Sequence, residues 1–227
     1  MSKLRGGLTI AIGLSVWGSG AGAASAQDVD SAGHAYVSIQ AGAVFVEDTE
    51  IEANGLDPFS IADHDTGFAV GGMLGYDFGR FRLEGEVTHR ESDTPMVTIL
   101  VPSPTEITTG GQIDITSFMA NGLFDLGADG GLQGALGAGI GFSDFDNFAT
   151  VDTPGGPVAI IDDGDSPFTW QLLAEARYPV APRWDIGARY SFTQMKIEQQ
   201  DTMGVDVAFT DRFHTIAATL TYRFGAG

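Results

Sequence analysis

The chain contains no cysteine among its 227 residues. Disulfide scaffolds, thiolate metal sites and cysteine nucleophiles are therefore excluded. Positive charge is also scarce, since 11 lysines and arginines accompany 30 aspartates and glutamates, which gives a net charge of −19. A nucleic-acid binder needs a basic surface to neutralise phosphates, so we expect no nucleic-acid partner. Phosphate loops, metal-binding histidine pairs and dinucleotide fingerprints are lacking as well, and we expect no cofactor.

Long apolar runs are missing too, except for a short one near the N-terminus. Two basic residues precede the apolar stretch Leu8–Trp17, and Ala24 and Ala26 frame a small-residue cleavage site before Gln27. These features predict a secretory signal peptide over residues 1–26. The apolar stretch is too short to cross a bilayer as a helix, which disfavours a retained anchor. The rest of the chain has no run of 18 apolar residues, so we expect no transmembrane helix.

An alternation of apolar and polar residues dominates the chain after residue 34. In residues 35–45 every odd position is apolar, while the even positions include Ser38, Gln40 and Gly42. This period of two predicts a strand with two unlike faces. Seven further strands are predicted near residues 66–77, 81–90, 114–126, 132–143, 168–178, 184–196 and 213–224. Each has about ten residues or slightly more, which is enough to cross a bilayer when the strand is tilted.

The connections between these strands alternate in length. Residues 78–80, 127–131 and 179–183 form short turns, and residues 47–65, 91–112, 144–167 and 197–212 form long polar segments. Aromatic residues lie mostly at the ends of the apolar faces, as in the girdles of outer-membrane barrels. The sequence therefore predicts an all-β fold: an eight-stranded antiparallel up-and-down transmembrane β-barrel with short periplasmic turns and four long acidic extracellular loops. We expect a short periplasmic segment at 27–33, the barrel at 34–224 and a tail at 225–227.

A soluble barrel or sandwich would alternate equally well, with its apolar face turned inward. The second face of this chain is too rich in glycine for an ordinary solvated face, for example at Gly71, Gly75, Gly137, Gly139 and Gly141. Aromatic girdles would also have no use in water, so the membrane barrel is favoured.

Several segments form a combination typical of one family: the pair 68–78 and 81–87, and the segments 119–125, 136–142, 188–190 and 220–224. Together they resemble the opacity-type outer-membrane β-barrel family, which is similar in architecture to the membrane domain of outer-membrane protein A. The resemblance implies a monomeric barrel in the outer membrane, surrounded by lipid and lipopolysaccharide and inserted by the barrel assembly machinery. Tyr222 and Phe224 would form its C-terminal assembly signal, although the family usually ends at the aromatic residue and this chain continues to 227. Members are adhesins, surface antigens, small pores or structural barrels, so fold alone does not give the function.

The polar face of the strands carries nearly balanced charges, and charges removed from water need partners. We expect a polar core inside the barrel formed by Glu84, Glu86, Asn121, Glu175, Arg177, Asp185, Arg189 and Arg223. Because the interior of an eight-stranded barrel is just filled by side chains, an interlocked core is favoured over an open lumen. A cation-conducting lumen remains the alternative.

The four long loops are strongly acidic, with 20 aspartates and glutamates and Arg212 as their one lysine or arginine. One interpretation is a solvated negative surface. The other is divalent-cation binding, for which Asp162, Asp163 and Asp165 are weak candidates because they lack EF-hand spacing. Magnesium or calcium could also bridge such loops to lipopolysaccharide.

Catalysis would need a nucleophile beside a base at the barrel rim. The four histidines are His34, His64, His89 and His214, and His214 has no neighbouring serine. We therefore predict no catalytic residues and no enzyme activity. The sequence favours a surface-structural or adhesive protein, with a narrow cation-preferring, porin-like channel as the alternative and a rim-located lipid or peptide hydrolase as a third hypothesis. A host or surface ligand would bind the loops, since loops on a rigid scaffold carry binding.

Overall fold

The computed structural model describes residues 33–53, 56–63, 65–99, 105–126, 131–153, 156–161, 166–200 and 206–225. The predicted signal peptide with Ala24 and Ala26, most of segment 27–33 and residues 226–227 of the tail lie outside these ranges, so those predictions stand as made. Helices long and apolar enough to span a membrane are absent from the described residues.

Strands account for almost all of the described chain. They are β1 (His34–Val46), β2 (Thr49–Ala53), β3 (Leu56–Asp63), β4 (Gly67–Asp77), β5 (Phe81–Ile99), β6 (Thr105–Leu126), β7 (Gln133–Thr153), β8 (Gly156–Ile161), β9 (Phe168–Ala181), β10 (Trp184–Gln200) and β11 (Asp206–Arg223). Eight of them form a ring of antiparallel neighbours in the order β1, β4, β5, β6, β7, β9, β10, β11.

The first and last strands close this ring. β1 pairs with β11 from Tyr36 opposite Arg223 to Val46 opposite Phe213. Because the ring is closed, every one of its eight strands has a neighbour on both sides. The backbone polar groups of these strands are therefore paired without help from water. The predicted eight-stranded antiparallel barrel is confirmed.

The segments that separate the strands on the long-loop side contain more β-structure than the alternation predicted. β5, β6 and β7 have 19, 22 and 21 residues, so they continue well beyond the length that spans a bilayer. β2 and β3 form a hairpin that pairs with β11 on one side and β5 on the other, which prolongs the wall above the ends of β1 and β4. β8 pairs with the end of β7.

The two faces of the barrel strands follow the predicted alternation. Outward-facing apolar residues are widely exposed, for example Ile39 at 59%, Leu74 at 66% and Ile140 at 60%. Inward-facing positions are buried, and most of the buried polar residues of the described chain lie there. An apolar exterior of this extent would be unstable in water and matches the lipid-facing band of a membrane barrel.

The turn at residues 78–80 is a tight connection between β4 and β5. Gly79 has a φ of 103°, a conformation that glycine adopts without steric cost. Its N–H donates to the Asp77 carboxylate at 2.7 Å, and the N–H of Phe78 donates to the carbonyl of Phe81 at 2.8 Å. The turn predicted at 179–183 is shorter, because β9 runs on to Ala181, and Pro179 lies opposite Asp185 beside a bulge in β9.

Candidate functional site: the barrel interior and the outer wall

The inward face of β5 supplies a column of charged and polar side chains to the interior of the barrel. Its alternate residues Arg82, Glu84, Glu86, Thr88 and Arg90 all point into the lumen and are buried. The period of two places these side chains one above another, so they define successive levels of the interior from the periplasmic end to the outer end.

The lower level is an arginine–carboxylate cluster near the periplasmic end. Arg82 contacts Asp125 at 2.9 Å and Glu175 at 3.0 Å. Arg177 contacts Asp77 at 3.3 Å and Asp125 at 3.2 Å, and its Nε donates to Gln133 at 2.8 Å. Arg82 also lies 3.4 Å from Glu84. Arg82 thus contacts three carboxylates and Arg177 contacts two, through charge-assisted hydrogen bonds.

Arg189 holds the middle level together. Its Nη2 lies 2.6 Å from Glu84 and 3.5 Å from Glu86, and its Nη1 lies 3.3 Å from Glu175. The Arg189 and Glu84 side chains are 2% and 1% exposed, so this ion pair is shielded from solvent.

Neutral polar groups complete the middle level around the two glutamates. Glu84 accepts a hydrogen bond from the Tyr36 hydroxyl at 2.6 Å. Glu86 accepts hydrogen bonds from Thr88 at 2.6 Å, Asn121 at 2.7 Å, Gln171 at 3.1 Å and Gln40 at 3.2 Å. A carboxylate with this many donors needs no water in the lumen to satisfy its oxygens.

Glycines on neighbouring strands make room for these side chains. A Cβ at Gly75 would collide with the ring of Tyr36, and one at Gly139 would collide with the side-chain amide of Asn121. The small residues of the inward face therefore leave space for the bulky members of the network.

Arg90 forms the upper level of the interior, where its guanidinium donates hydrogen bonds to three hydroxyl groups. It donates to Ser117 at 3.0 Å and to Thr193 and Thr215, each at 3.3 Å. A layer of buried apolar side chains lies towards the same end of the barrel: Val44, Ile115, Met195 and Phe213. Polar ties and apolar side chains together fill the outer part of the lumen.

The structure brings most of the predicted interior residues together and separates two of them. Glu84, Glu86, Asn121, Glu175 and Arg189 lie in one connected network, and Arg177 joins it through Asp125 and Arg82. Asp185 and Arg223 instead form their own ion pair of 3.2 Å at the periplasmic end.

Sequence reasoning missed several members of the network: Tyr36, Gln40 and Gln171. Gln40 and Gln171 have inward parity and could have been found from the alternation alone. Tyr36 has the same inward parity, but only its contacts in the structure show that its hydroxyl belongs to the network.

The residues predicted for cation binding, Asp162, Asp163 and Asp165, lie outside the described residues. The described residues contain one other group with ligand-type spacing, on the outward face of β5 and β6. His89, Glu91 and Asp114 each place one ligand atom within 4.8 Å of the others. His89 Nδ1 also lies 3.2 Å from the Thr116 hydroxyl.

A second polar group on the outer wall links β10 and β11 to Glu47, the residue that follows β1. His214 Nε2 lies 2.9 Å from Glu47, and His214 Nδ1 lies 2.8 Å from the Tyr190 hydroxyl. The hydrogen bond with His214 is the main cause that lowers the pKa of Glu47 below its ordinary value. Arg212 also contacts Glu47, at 3.5 Å. His214 thus has polar partners on both ring nitrogens, although no serine adjoins it in sequence.

The predicted assembly residues lie at the periplasmic end of β11. The Tyr222 and Phe224 rings are 5.1 Å apart, and Tyr222 is 5.0 Å from Trp184. The Phe224 N–H donates to the carbonyl of Ala35 at 2.8 Å, which fixes the end of the chain against β1.

A closed eight-stranded antiparallel barrel with an apolar exterior and a charged interior defines an outer-membrane β-barrel protein. The particular family follows from the sequence: residues 14–224 match the family described as outer membrane protein beta-barrel domain, and the chain belongs to that family. The protein is therefore an integral protein of the outer membrane, and the resemblance to opacity-type barrels is confirmed.

The chain is similar to solved structures of several other outer-membrane proteins. The outer membrane protein OprG from Pseudomonas aeruginosa has a TM-score of 0.53 at 11% identity, covering 86% of this chain and 99% of that chain. The outer membrane protease OmpT from Escherichia coli has a TM-score of 0.54 at 9% identity, covering 84% and 97%. Neisserial surface protein A has a TM-score of 0.46 at 16% identity, covering 83% and 97%. No curated protein sequence matches this chain. At these identities the likeness shows the fold alone.

Proposed function

We propose that this protein is a non-conducting outer-membrane barrel that holds acidic loops at the cell surface in a structural or adhesive role. The observation that carries the proposal is a set of contacts that cross the lumen between opposite strands. In the ring of eight, β4 lies opposite β9, and β5 lies opposite β10.

Three levels of the lumen are crossed in this way. Arg177 on β9 contacts Asp77 on β4 at 3.3 Å, Arg189 on β10 contacts Glu84 on β5 at 2.6 Å, and Arg90 on β5 donates to Thr193 on β10 at 3.3 Å. Each tie spans the full width of the barrel with buried side chains.

These ties oppose ion flow for an energetic reason. A cation entering the lumen would have to displace a guanidinium from its carboxylates, which are held by charge-assisted hydrogen bonds. The interior of an eight-stranded barrel is also only wide enough for its own side chains. This argument favours the closed lumen over the cation-conducting alternative.

The surface role rests on the loops. The four segments predicted as loops contain 20 acidic residues and one arginine. Asp211 is buried on the inward face of β11, and the other carboxylates would give a negative field that attracts counterions and cationic partners and repels acidic ones. A rigid closed barrel beneath the loops fixes their spacing without further contacts, so a partner of this protein would bind the loops and not the barrel.

Planar-bilayer recording tests the closed lumen. The purified, folded protein should give no steady conductance steps, because all three ties are in place. Arg189→Ala removes the middle tie and should raise conductance above that of the parent if the ties restrict ion flow. A large, steady, cation-selective conductance in the unsubstituted protein would contradict the proposal and favour a channel.

A further inference from the structure

The distribution of lysine and arginine over the barrel is the starting observation. Outside the predicted signal peptide the chain has nine such residues. Arg82, Arg90, Arg177 and Arg189 are buried in the lumen, and Arg80, Arg183 and Arg223 lie at the periplasmic end. Only Lys196 and Arg212 remain for the outer half of the molecule.

These two cations lie on one wall and face outward. Arg212 on β11 is opposite Gln194 on β10, and Lys196 is opposite Thr210 two residues further along. Such diagonal neighbours have Cα atoms roughly 7–8 Å apart on the same face of a sheet. Both side chains are exposed, and Arg212 is 45% exposed.

The position of this wall relative to the membrane follows from the aromatic residues below it. Phe192 and Tyr190 face lipid on β10, and Phe192 packs 5.2 Å from the ring of His214. Lys196 is four residues beyond Phe192, which is about 13 Å along the strand. With the tilt of about 40° usual for such strands, Lys196 and Arg212 lie at the level of the lipid headgroups.

Other parts of the wall at this level are acidic and would repel an anionic headgroup. Glu91, Asp114 and Asp144 face outward on β5, β6 and β7. These carboxylates would contact an anionic headgroup through a bridging cation, whereas Lys196 and Arg212 can contact it directly. Glu198 and Asp206 lie further along the same two strands, beyond these cations.

We infer that Lys196 and Arg212, with His214 beside them, form a binding site for the phosphate group of an anionic lipid in the outer leaflet. The aromatic residues below would contact its acyl chains. Glu47 is one counter-charge of the site. It lies 3.5 Å from Arg212 and 2.9 Å from His214, and a lipid phosphate would compete with it for these partners.

The test measures binding of a diphosphorylated lipid A to the protein folded in neutral detergent, with EDTA present to exclude cation bridging. Removal of two surface cations should weaken lipid binding about thirtyfold, because each cation raises the affinity for an anionic lipid about fivefold. We therefore expect Lys196→Gln/Arg212→Gln to show this loss. Arg80→Gln/Arg183→Gln is the matched control, because it removes the same charge at the periplasmic end and should bind like the parent.

A third variant tests whether the Glu47 carboxylate competes with the lipid phosphate. Glu47→Gln removes the competing carboxylate, so it should bind the phosphorylated lipid more tightly than the parent. A variant that merely disturbs the wall would not gain affinity. Native mass spectrometry of each variant counts the bound lipids, and heat-modifiable gel mobility shows that each barrel is folded.

Three outcomes would overturn the assignment. Equal affinity in the parent and the Lys196→Gln/Arg212→Gln variant would show that these cations do not bind the lipid. An equal loss for the same lipid without its phosphates would show that acyl packing alone is affected. Inorganic phosphate binding as tightly as the lipid would make this a site for the free anion.

Discussion

Arg189 is a buried cation whose charge is shared by Glu84, Glu86 and Glu175. Burial of an ion pair costs desolvation energy, so the pair as a whole need not stabilise the barrel more than an apolar core would. What the pair fixes is the arrangement of the interior, since removal of one partner leaves the others charged, buried and facing each other.

Replacement of Arg189 by alanine should therefore destabilise the barrel strongly. We expect a loss of about 3–5 kcal/mol in the free energy of unfolding, the range for a buried charge left without its partner. Urea unfolding of the lipid-embedded protein, followed by gel mobility, measures this change. Arg80→Ala, which removes an exposed arginine, is the control and should change the free energy of unfolding by less than about 0.5 kcal/mol. Near-equal stability of the two variants would mean that the lumen is wet.

Gly75 provides a second test, based on space and not on charge. Valine at this position would collide with the Tyr36 ring and disturb its hydrogen bond of 2.6 Å to Glu84. We expect a loss of about 1–3 kcal/mol, as for other overpacked interiors. Gly72 on the same strand faces outward, and its Cβ would meet only a carbonyl at 3.7 Å. Gly72→Val should therefore be nearly neutral in the same unfolding measurement, and equal effects would show that Tyr36 does not lie over Gly75.

The eight strands of the barrel were predictable in number and in the direction of their faces, because one face meets lipid and the other is buried. The period of two records that difference directly in the sequence. Strand ends were less predictable, because β5, β6 and β7 continue into the polar segments 91–112 and 144–167, where apolar and polar residues no longer alternate strictly. Pro179 also suggested a turn, yet a proline is tolerated near the end of β9, beside a bulge.

The last strand carries a further testable feature in Phe224. This side chain is 44% exposed at the periplasmic end, packs on Tyr222, and lies in the predicted assembly signal. Phe224→Asp should block insertion, because it removes the aromatic residue and places an anion near the membrane boundary. Deletion of residues 225–227 is the control and should leave insertion unchanged. The measurement is the amount of heat-modifiable protein in outer-membrane fractions, and the reverse result would misplace the signal.

At the scale of the whole molecule, the charged network inside the barrel was predictable only in part. The sequence identifies which charged residues face inward, but partners across the lumen depend on the stagger between strands, which the alternation does not specify. Arg189 meets Glu84 from the opposite side of the ring, and Arg82 meets Asp125 from the adjacent strand. The Glu47–His214–Tyr190 contact likewise joins β10 and β11 to the residue that follows β1 through register and could not be read from neighbouring residues.

Closure of the ring by β1 and β11 determines whether any of these partners can meet, and the absence of cysteine makes closure directly testable. Ala41 lies opposite Ala218, and Ala218 lies opposite Ala188 on the next strand. Cα atoms of directly opposed residues are about 4.5–5.5 Å apart, which suits a disulfide, whereas residues two strands apart are about 9–10 Å away, which is too far. Ala41→Cys/Ala218→Cys should therefore form a disulfide on mild oxidation of the folded protein, and Ala41→Cys/Ala188→Cys should not. Non-reducing gels after boiling distinguish the cross-linked chain from the linear one by mobility. Cross-linking of the second pair alone, or of neither pair, would show that the first and last strands are not neighbours in the membrane.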